Sequence, residues 1–276
     1  MKNLSGKVVA LTGAASGIGR CLAIQLSGLG CHLALADVDE KGLQETITML
    51  ASTTKVSSHI VDVADKDRVY VWADEVVAEH GHVDVVINNA GVVSSARLDE
   101  ISYEDFDWVF NIVFYGVLYS TKAFLPYLKQ RQEANIVNIS SVNGFFPFPK
   151  NGPYNAAKHA VKALNQTLIQ ELRHTSVRVT SVHPGGIKTN IVRNARFAQG
   201  EDDKRVLVKE FDKIAGTSPE KAARIIIGGL QKNRKRQLVG KDAVVFDLLV
   251  RLFPQGFSDL VGKIFELKEK EKEKEK

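Results

Sequence analysis

Short apolar runs alternate with amphipathic stretches along most of this chain. Lys7 to Thr12 is such a run and ends at a glycine-rich turn. His32 to Asp37, Ser57 to Asp62, Asp84 to Asn88, Asn135 to Ser140 and Val177 to His183 are others, and Gln237 to Gly240 is the last. Runs this short and this rich in Val, Ile and Leu read as strands covered on both faces. Between them, Gly19 to Gly28, Lys41 to Ser52 and segments near 66–80, 103–130 and 155–174 have helical spacing. The alternation predicts an α/β fold, a doubly wound, mostly parallel sheet with helices on both faces, in a single domain. In open sheets of this kind ligands bind beyond the carboxyl ends of the strands, so residues that carry chemistry are expected just after strands.

The pattern changes near residue 245. Phe246 to Leu267 has scattered apolar positions around Pro254 and Gly256, which predicts two short helices, and Lys268 to Lys276 is a strict Lys/Glu alternation with no apolar stripe. The expected organisation is a domain over 1–245, a helical extension over 246–267 and a charged tail over 268–276 that is frayed helix or disordered. The extension is assigned to a subunit interface or to pocket cover. Membrane contact is not expected, because its lysines are only weakly segregated from the apolar positions.

Composition narrows the class. Of 276 residues, 44% are hydrophobic and 25% charged, which fits a soluble globular chain. Cys21 and Cys31 are the two cysteines, too few for a disulfide framework and consistent with a reducing compartment. Met1 to Gly6 has no apolar stretch, and no uninterrupted apolar run reaches the ~18 residues of a membrane span, so a cytoplasmic location is expected. Part of the net charge of +5 sits in Lys232, Arg234, Lys235 and Arg236. No aromatic residues interleave there, so it reads as a solvated turn, not a nucleic-acid surface. No metal site is expected.

Thr12-Gly13-Ala14-Ala15-Ser16-Gly17-Ile18-Gly19 follows the first strand and opens a helix. Glycines let such a backbone approach a ligand without a Cβ clash, and the helix start offers free N–H groups to a pyrophosphate. At the first strand–helix junction of an α/β chain this is the context of a Rossmann-type dinucleotide site. Asp37 ends the second strand, where a carboxylate would accept from the adenosine ribose hydroxyls and repel a 2′-phosphate. Neither Val38 nor Ser16 supplies a basic partner for that phosphate. The expected cofactor is NAD.

With these features in order, the sequence resembles the short-chain dehydrogenase/reductase family from about residue 6 to about residue 245. Asp62-Val63 resembles the pair that contacts adenine, and Asn88-Asn89-Ala90-Gly91 the motif after the fourth strand. Ser141 follows the fifth strand, Tyr154-x-x-x-Lys158 comes 13 residues later, and Pro184-Gly185 follows the sixth strand with Thr189 close behind. His183 departs from the asparagine the family often has before Pro-Gly. The resemblance implies a cofactor held by Gly13, Ser16, Gly17, Ile18 and Gly19, by Asp37, Asp62, Val63 and Asn89, by Tyr154 and Lys158, and by Pro184, Gly185, Ile187 and Thr189. It also implies a catalytic asparagine at Asn111 that holds a water in a relay with Lys158, a lid over about 188–215, and a homodimer or homotetramer.

The residues suit a hydride transfer between a nicotinamide and an alcohol or ketone. A free phenol, pKa about ~10, is a poor base at neutral pH, and a nearby cation favours its phenolate. Tyr154 and Lys158, spaced i, i+4, share a helix face, which makes Tyr154 the candidate general acid/base. Ser141 can hold the substrate oxygen. Asn88 and Asn89 are expected to tie the fourth strand to its neighbours. The apolar run Phe145-Phe146-Pro147-Phe148-Pro149 suggests a bulky apolar substrate, lipid-like or steroid-like. The alternatives are an NADP-dependent carbonyl reductase and a non-catalytic NAD-binding sensor or scaffold.

Overall fold

The computed structural model describes residues 1–197 and 201–275; within these, the side chains of 201–203, 206, 207, 210 and 268–275 are not described. Seven parallel strands form one sheet: β1 (Val8–Thr12), β2 (His32–Asp37), β3 (Val56–Ile60), β4 (Val85–Asn88), β6 (Ala134–Ile139), β7 (Val177–Pro184) and β9 (Arg236–Val239), in the order β3-β2-β1-β4-β6-β7-β9. Two-residue strands β5 (Ser94–Ser95) and β8 (Arg196–Phe197) pair with each other outside it. Every residue of β1, β4 and β6 is buried, as expected of central strands covered on both faces. This is the doubly wound, Rossmann-like single domain the sequence predicts.

Two layers of helix cover the sheet. On one face α1 (Gly17–Gly28) and α8 (Pro219–Gln231) close over Leu11, Leu33, Leu35, Ile87 and Val182. On the other, α3 (Lys66–His80), α5 (Gly116–Lys129) and α6 (Gly152–Glu171) close over Ala10, Val86 and Ile136, with Trp72 set edge-on to Phe124 at 4.9 Å. α2 (Glu40–Thr48) follows β2 and ends earlier than its sequence pattern suggests. α4 (Tyr103–Phe110) runs into α5 through a π-helical turn at Asn111–Tyr115. By length and composition the continuous helix Tyr103–Lys129 could cross a membrane. Here it packs as a core helix, with Val109, Val113, Phe124 and Leu128 fully buried.

α7 (Glu201–Ile214) and α8 have no counterpart among the predicted helices. At the C-terminal end, α9 (Lys241–Leu252) starts before the expected boundary at 246, and α10 (Pro254–Glu275) runs on into the segment read as a charged tail; the two meet at Phe253. α10 carries the Lys/Glu alternation as helix as far as Glu275; Lys276 lies outside the described residues. Cys21 and Cys31 are free thiols. The chain changes direction across the sheet between β1 and β4, and at their carboxyl ends a cavity of about 460 Å³ opens.

Candidate active site

The phosphate turn is built by close backbone packing. Gly13 has φ +67, and a Cβ there would stand 2.9 Å from the Ala90 main chain; a Cβ on Gly19 would overlap the Gly13 carbonyl. Thr12 Oγ1 accepts from the N–H groups of Asn89 (3.0 Å) and Ala90 (3.1 Å), and Asn89 Nδ2 donates to the carbonyls of Thr12 (3.0 Å) and Gly13 (3.1 Å). The β1 and β4 turns are thereby locked together. Asn88, fully enclosed, donates to Asn138 Oδ1 at 2.7 Å. The two asparagines tie strands together as the sequence suggests.

Gly13, Ser16, Gly17 and Ile18 line the cavity; Gly19 does not, since it stands behind Gly13 and serves the turn's packing. No acidic residue lies in the first turn of α1, and Ser16 makes no side-chain cap there. The helix start therefore presents N–H donors that no acidic residue or side-chain cap of the helix itself occupies. Asp37 borders the cavity with Oδ2 accepting from Ala15 N–H (2.9 Å) and Oδ1 from Asp39 N–H (3.1 Å). Asp62 and Val63 lie beyond it, and Asn89, Pro184, Gly185, Ile187 and Thr189 complete the long wall. N–H donors at one end, a carboxylate at the adenosine end and main chain along the wall fit an extended dinucleotide.

Ser141, Tyr154 and Lys158 line the same cavity. β6 delivers Ser141 to a 3₁₀ turn (Val142–Gly144), and α6 begins with Pro153 in its first turn. Gly144 lets this turn lie on α6, since a Cβ would come within 2.8 Å of the Lys158 carbonyl. Tyr154 is hydrogen-bonded to Ser141, and Lys158 Nζ lies 5.4 Å from the phenol ring and donates to the Ile139 carbonyl at 2.6 Å. Tyr154 retains some exposure to the cavity but is densely enclosed by protein; Lys158 is 3% exposed.

Burial decides the charge of this pair. It pushes the Tyr154 phenol up to about 12, opposed only by the bond to Ser141, and pushes the Lys158 ammonium down to about 7. Shared helical face therefore does not translate into a lysine that lowers the tyrosine, as the spacing suggested. The protein's own groups keep the tyrosine a phenol at neutral pH.

Two expectations fail on geometry. Asn111 is exposed and stands outside the cavity wall. Two residues on, Val113 is fully buried, in the cluster that packs against Tyr154, and Ile112 lines the cavity. Positions two apart on a helix point to nearly opposite sides, so Asn111 cannot turn inward without expelling Val113. The aromatic run is also elsewhere. Phe145 and Phe146 are buried with Phe257, and Phe148 with Phe246, beneath α9 and α10. They are core for the C-terminal helices, not pocket wall.

Residues the sequence did not single out take their place. Val92, Val93, Ile191, Val192 and Phe211 line the cavity, as does Asn143, whose backbone N–H and side chain both bond to Ser141 Oγ at 3.1 Å. Asn143 was legible only as the second residue after Ser141. His183 is buried, its Nδ1 against the Ser141 carbonyl (3.1 Å) and its Nε2 against Ser181 Oγ (3.0 Å). Burial holds its pKa down at about 4, so it is a neutral strut under the serine. In the segment read as a lid, Arg196 stacks on Trp108 at 3.9 Å and pairs with Asp105 at 2.9 Å. Positions 198–200 of that segment lie outside the described residues.

Comparison with known proteins places this architecture. The model of the short chain dehydrogenase family matches residues 7–200, which include the phosphate turn, Ser141, Tyr154 and Lys158. A Mycobacterium tuberculosis protein, SadH, is 42% identical over 267 residues, covering 95% of this chain and 96% of SadH. The 3-oxoacyl-(acyl-carrier-protein) reductase FabG of Thermotoga maritima is 31% identical over 226 residues, 81% of this chain and 90% of FabG. A short chain dehydrogenase/reductase from Burkholderia phymatum, solved in complex with NAD, superposes with a TM-score of 0.84 at 30% identity over 91% of this chain and 95% of that one. With the phosphate turn, Ser141, Tyr154 and Lys158 lining one cavity on this sheet, the matches make the chain an oxidoreductase of the short-chain dehydrogenase/reductase family, with a nicotinamide cofactor.

Proposed function

We propose that this protein is an NAD-dependent dehydrogenase that interconverts a bulky apolar secondary alcohol and its ketone, with Tyr154 as general acid/base. The observation that carries the reading is that Ser141, Tyr154 and Lys158 line one cavity with the phosphate turn, with Lys158 Nζ 5.4 Å from the Tyr154 ring. Asp37 at the other end supports NAD over NADP, because its carboxylate would meet a 2′-phosphate with no basic side chain at Val38 or Ser16 to offset it. The apolar substrate is supported by Val92, Val93, Ile112, Ile191, Val192 and Phe211, in place of the aromatic run.

When bound, the nicotinamide supplies the site that accepts or gives the hydride, and in its oxidised form a positive charge. Ser141 holds the substrate oxygen through its hydroxyl. Tyr154 takes the alcohol proton in oxidation and returns it in reduction. Lys158 is anchored on the Ile139 carbonyl 5.4 Å from the Tyr154 ring; its ammonium form and the oxidised nicotinamide are the positive charges that would favour phenolate. The outward position of Asn111 removes the asparagine of the implied relay, and it is the one observation that favours a cofactor-binding protein without turnover.

Tyr154→Phe separates the two. The variant should fold, bind NAD⁺ as the wild type does, and lose roughly 10²–10⁴-fold in turnover of secondary alcohols graded from short and polar to bulky and apolar. Equal turnover by wild type and variant sinks the assignment of Tyr154. Wild-type turnover that falls as the alcohols grow apolar sinks the substrate class.

A further inference from the structure

We propose that Asn143 is a positioning residue for Ser141. Its side-chain amide holds the serine's one hydroxyl proton, so the phenol of Tyr154 and the substrate oxygen must compete with Asn143 for it. The proposal deepens the reading of Ser141 and Tyr154 given above and rests on it.

The direction of each hydrogen bond is forced from the main chain outward. The Phe148 carbonyl accepts from Asn155 Nδ2 (2.7 Å), and the Phe148 N–H donates to Asn155 Oδ1 (3.4 Å). A carbonyl cannot donate and an amide N–H cannot accept, so the Asn155 amide has one orientation. Asn155 Oδ1 then accepts from Asn143 Nδ2 at 2.8 Å. That turns Asn143 Oδ1 toward Ser141, where it takes the hydroxyl proton at 3.1 Å. A serine that merely caps a 3₁₀ turn needs only the bond it accepts from the Asn143 N–H, also 3.1 Å. The side-chain bond, and the Asn155 brace behind it, are additional.

A hydroxyl has one proton and two lone pairs. With Asn143, the Ser141 hydroxyl donates its proton to Oδ1 and accepts from the N–H, so Tyr154 is left the second lone pair; the serine lowers the phenol's pKa only when it turns its proton from Asn143 to Tyr154. A phenol can donate to that lone pair; a phenolate cannot, and needs the serine to donate instead. Forming the phenolate therefore draws the proton off Asn143 Oδ1, and Asn143 favours the phenol. Elsewhere around Tyr154, the π-turn side offers apolar Val109 and Val113, and its own helix offers Lys158 at 5.4 Å. His183 beneath Ser141 is neutral through the range of the test.

The test is the ionisation of Tyr154 in the NAD⁺-loaded protein, read as phenolate absorbance after subtraction of the Tyr154→Phe signal, for wild type, Asn143→Ala and Asn143→Asp. Asn143→Ala frees the serine proton and should lower the Tyr154 titration by about one pH unit. Asn143→Asp keeps an acceptor and adds a negative charge, and should raise it by a similar amount. Circular dichroism confirms folding, and Asn155→Leu, which releases the brace without touching Ser141, should shift the titration in the direction of Asn143→Ala but less. Loosening of the turn alone would not move the two Asn143 variants in opposite directions. Unmoved titrations, or both moved the same way, overturn the proposal. Opposite shifts without turnover of any alcohol would keep this role and defeat the proposed function; turnover with identical titrations would do the reverse.

Discussion

Replacing Lys158 by methionine separates what the lysine costs the fold from what it does in the site. Lys158 is 3% exposed, and burial brings its ammonium from 10.5 down to about 7. The unfolded chain binds that proton more readily than the folded protein. Below about pH 7 both states carry it and the penalty is complete; above 10.5 neither does and the penalty is gone; between the two, stability rises with pH. The interval of about 3.5 pH units, at ~1.4 kcal/mol each, makes the full penalty about 5 kcal/mol. Methionine is a flexible, uncharged chain that can fill the same channel. It gives up the 2.6 Å bond to the Ile139 carbonyl, a loss of about 1–3 kcal/mol for a buried acceptor. Lys158→Met should therefore be more stable than wild type by about 2–4 kcal/mol near pH 6, a rise in melting temperature on the order of 10 °C. Near pH 9.5 most of the penalty is gone, so the advantage should vanish or reverse. Thermal unfolding of the cofactor-free protein at both pH values measures this, and alcohol turnover should be lost throughout. A difference independent of pH, or a variant less stable near pH 6, would refute the claim that burial sets the charge of this pair.

Asp37→Ala combined with Val38→Arg should raise kcat/KM with NADP⁺ relative to NAD⁺ by about tenfold or more, since it removes the carboxylate and adds a cation for the 2′-phosphate. Val38 is 64% exposed and can accept the longer side chain; an unchanged ratio of the two kcat/KM values would remove Asp37 from cofactor selection. Phe146 is 3% exposed and stands 4.8 Å from Phe257 and 5.0 Å from Phe148. Phe146→Ala should cost about 3–5 kcal/mol in urea unfolding and leave the substrate KM unchanged. A raised KM at wild-type stability would put the aromatic run back in the pocket.

What the sequence made legible was the part of the site that depends on main-chain geometry. Gly13, Gly17 and Gly19 at a strand–helix junction admit few arrangements. Ser141, Tyr154 and Lys158 are placed by a strand end and one helix, so their meeting survives small errors in element boundaries. Asn111 shows the limit. A helix must be phased to within a residue to say which side chain faces inward, and the π-helical turn at Asn111–Tyr115 has no mark in the pattern. The phenylalanines after Ser141 show another limit, because an apolar side chain looks the same in sequence whether a ligand or α10 covers it. In α8, Ala222, Ala223, Ile226, Ile227 and Leu230 have helical spacing on the buried face, with Gly228-Gly229 set within it. In the structure a Cβ on Gly229 would stand 2.9 Å from Gln237 Oε1. The charge of Tyr154 and Lys158 was least legible of all. Spacing says that a cation and a phenol are neighbours; only the depth of their burial says that, left to the protein, neither is readily charged. If Tyr154 is the base, as proposed, a site arranged this way would keep it protonated until charge enters the cavity, and the groups bonded to the Ser141 hydroxyl would then bear on when it ionises.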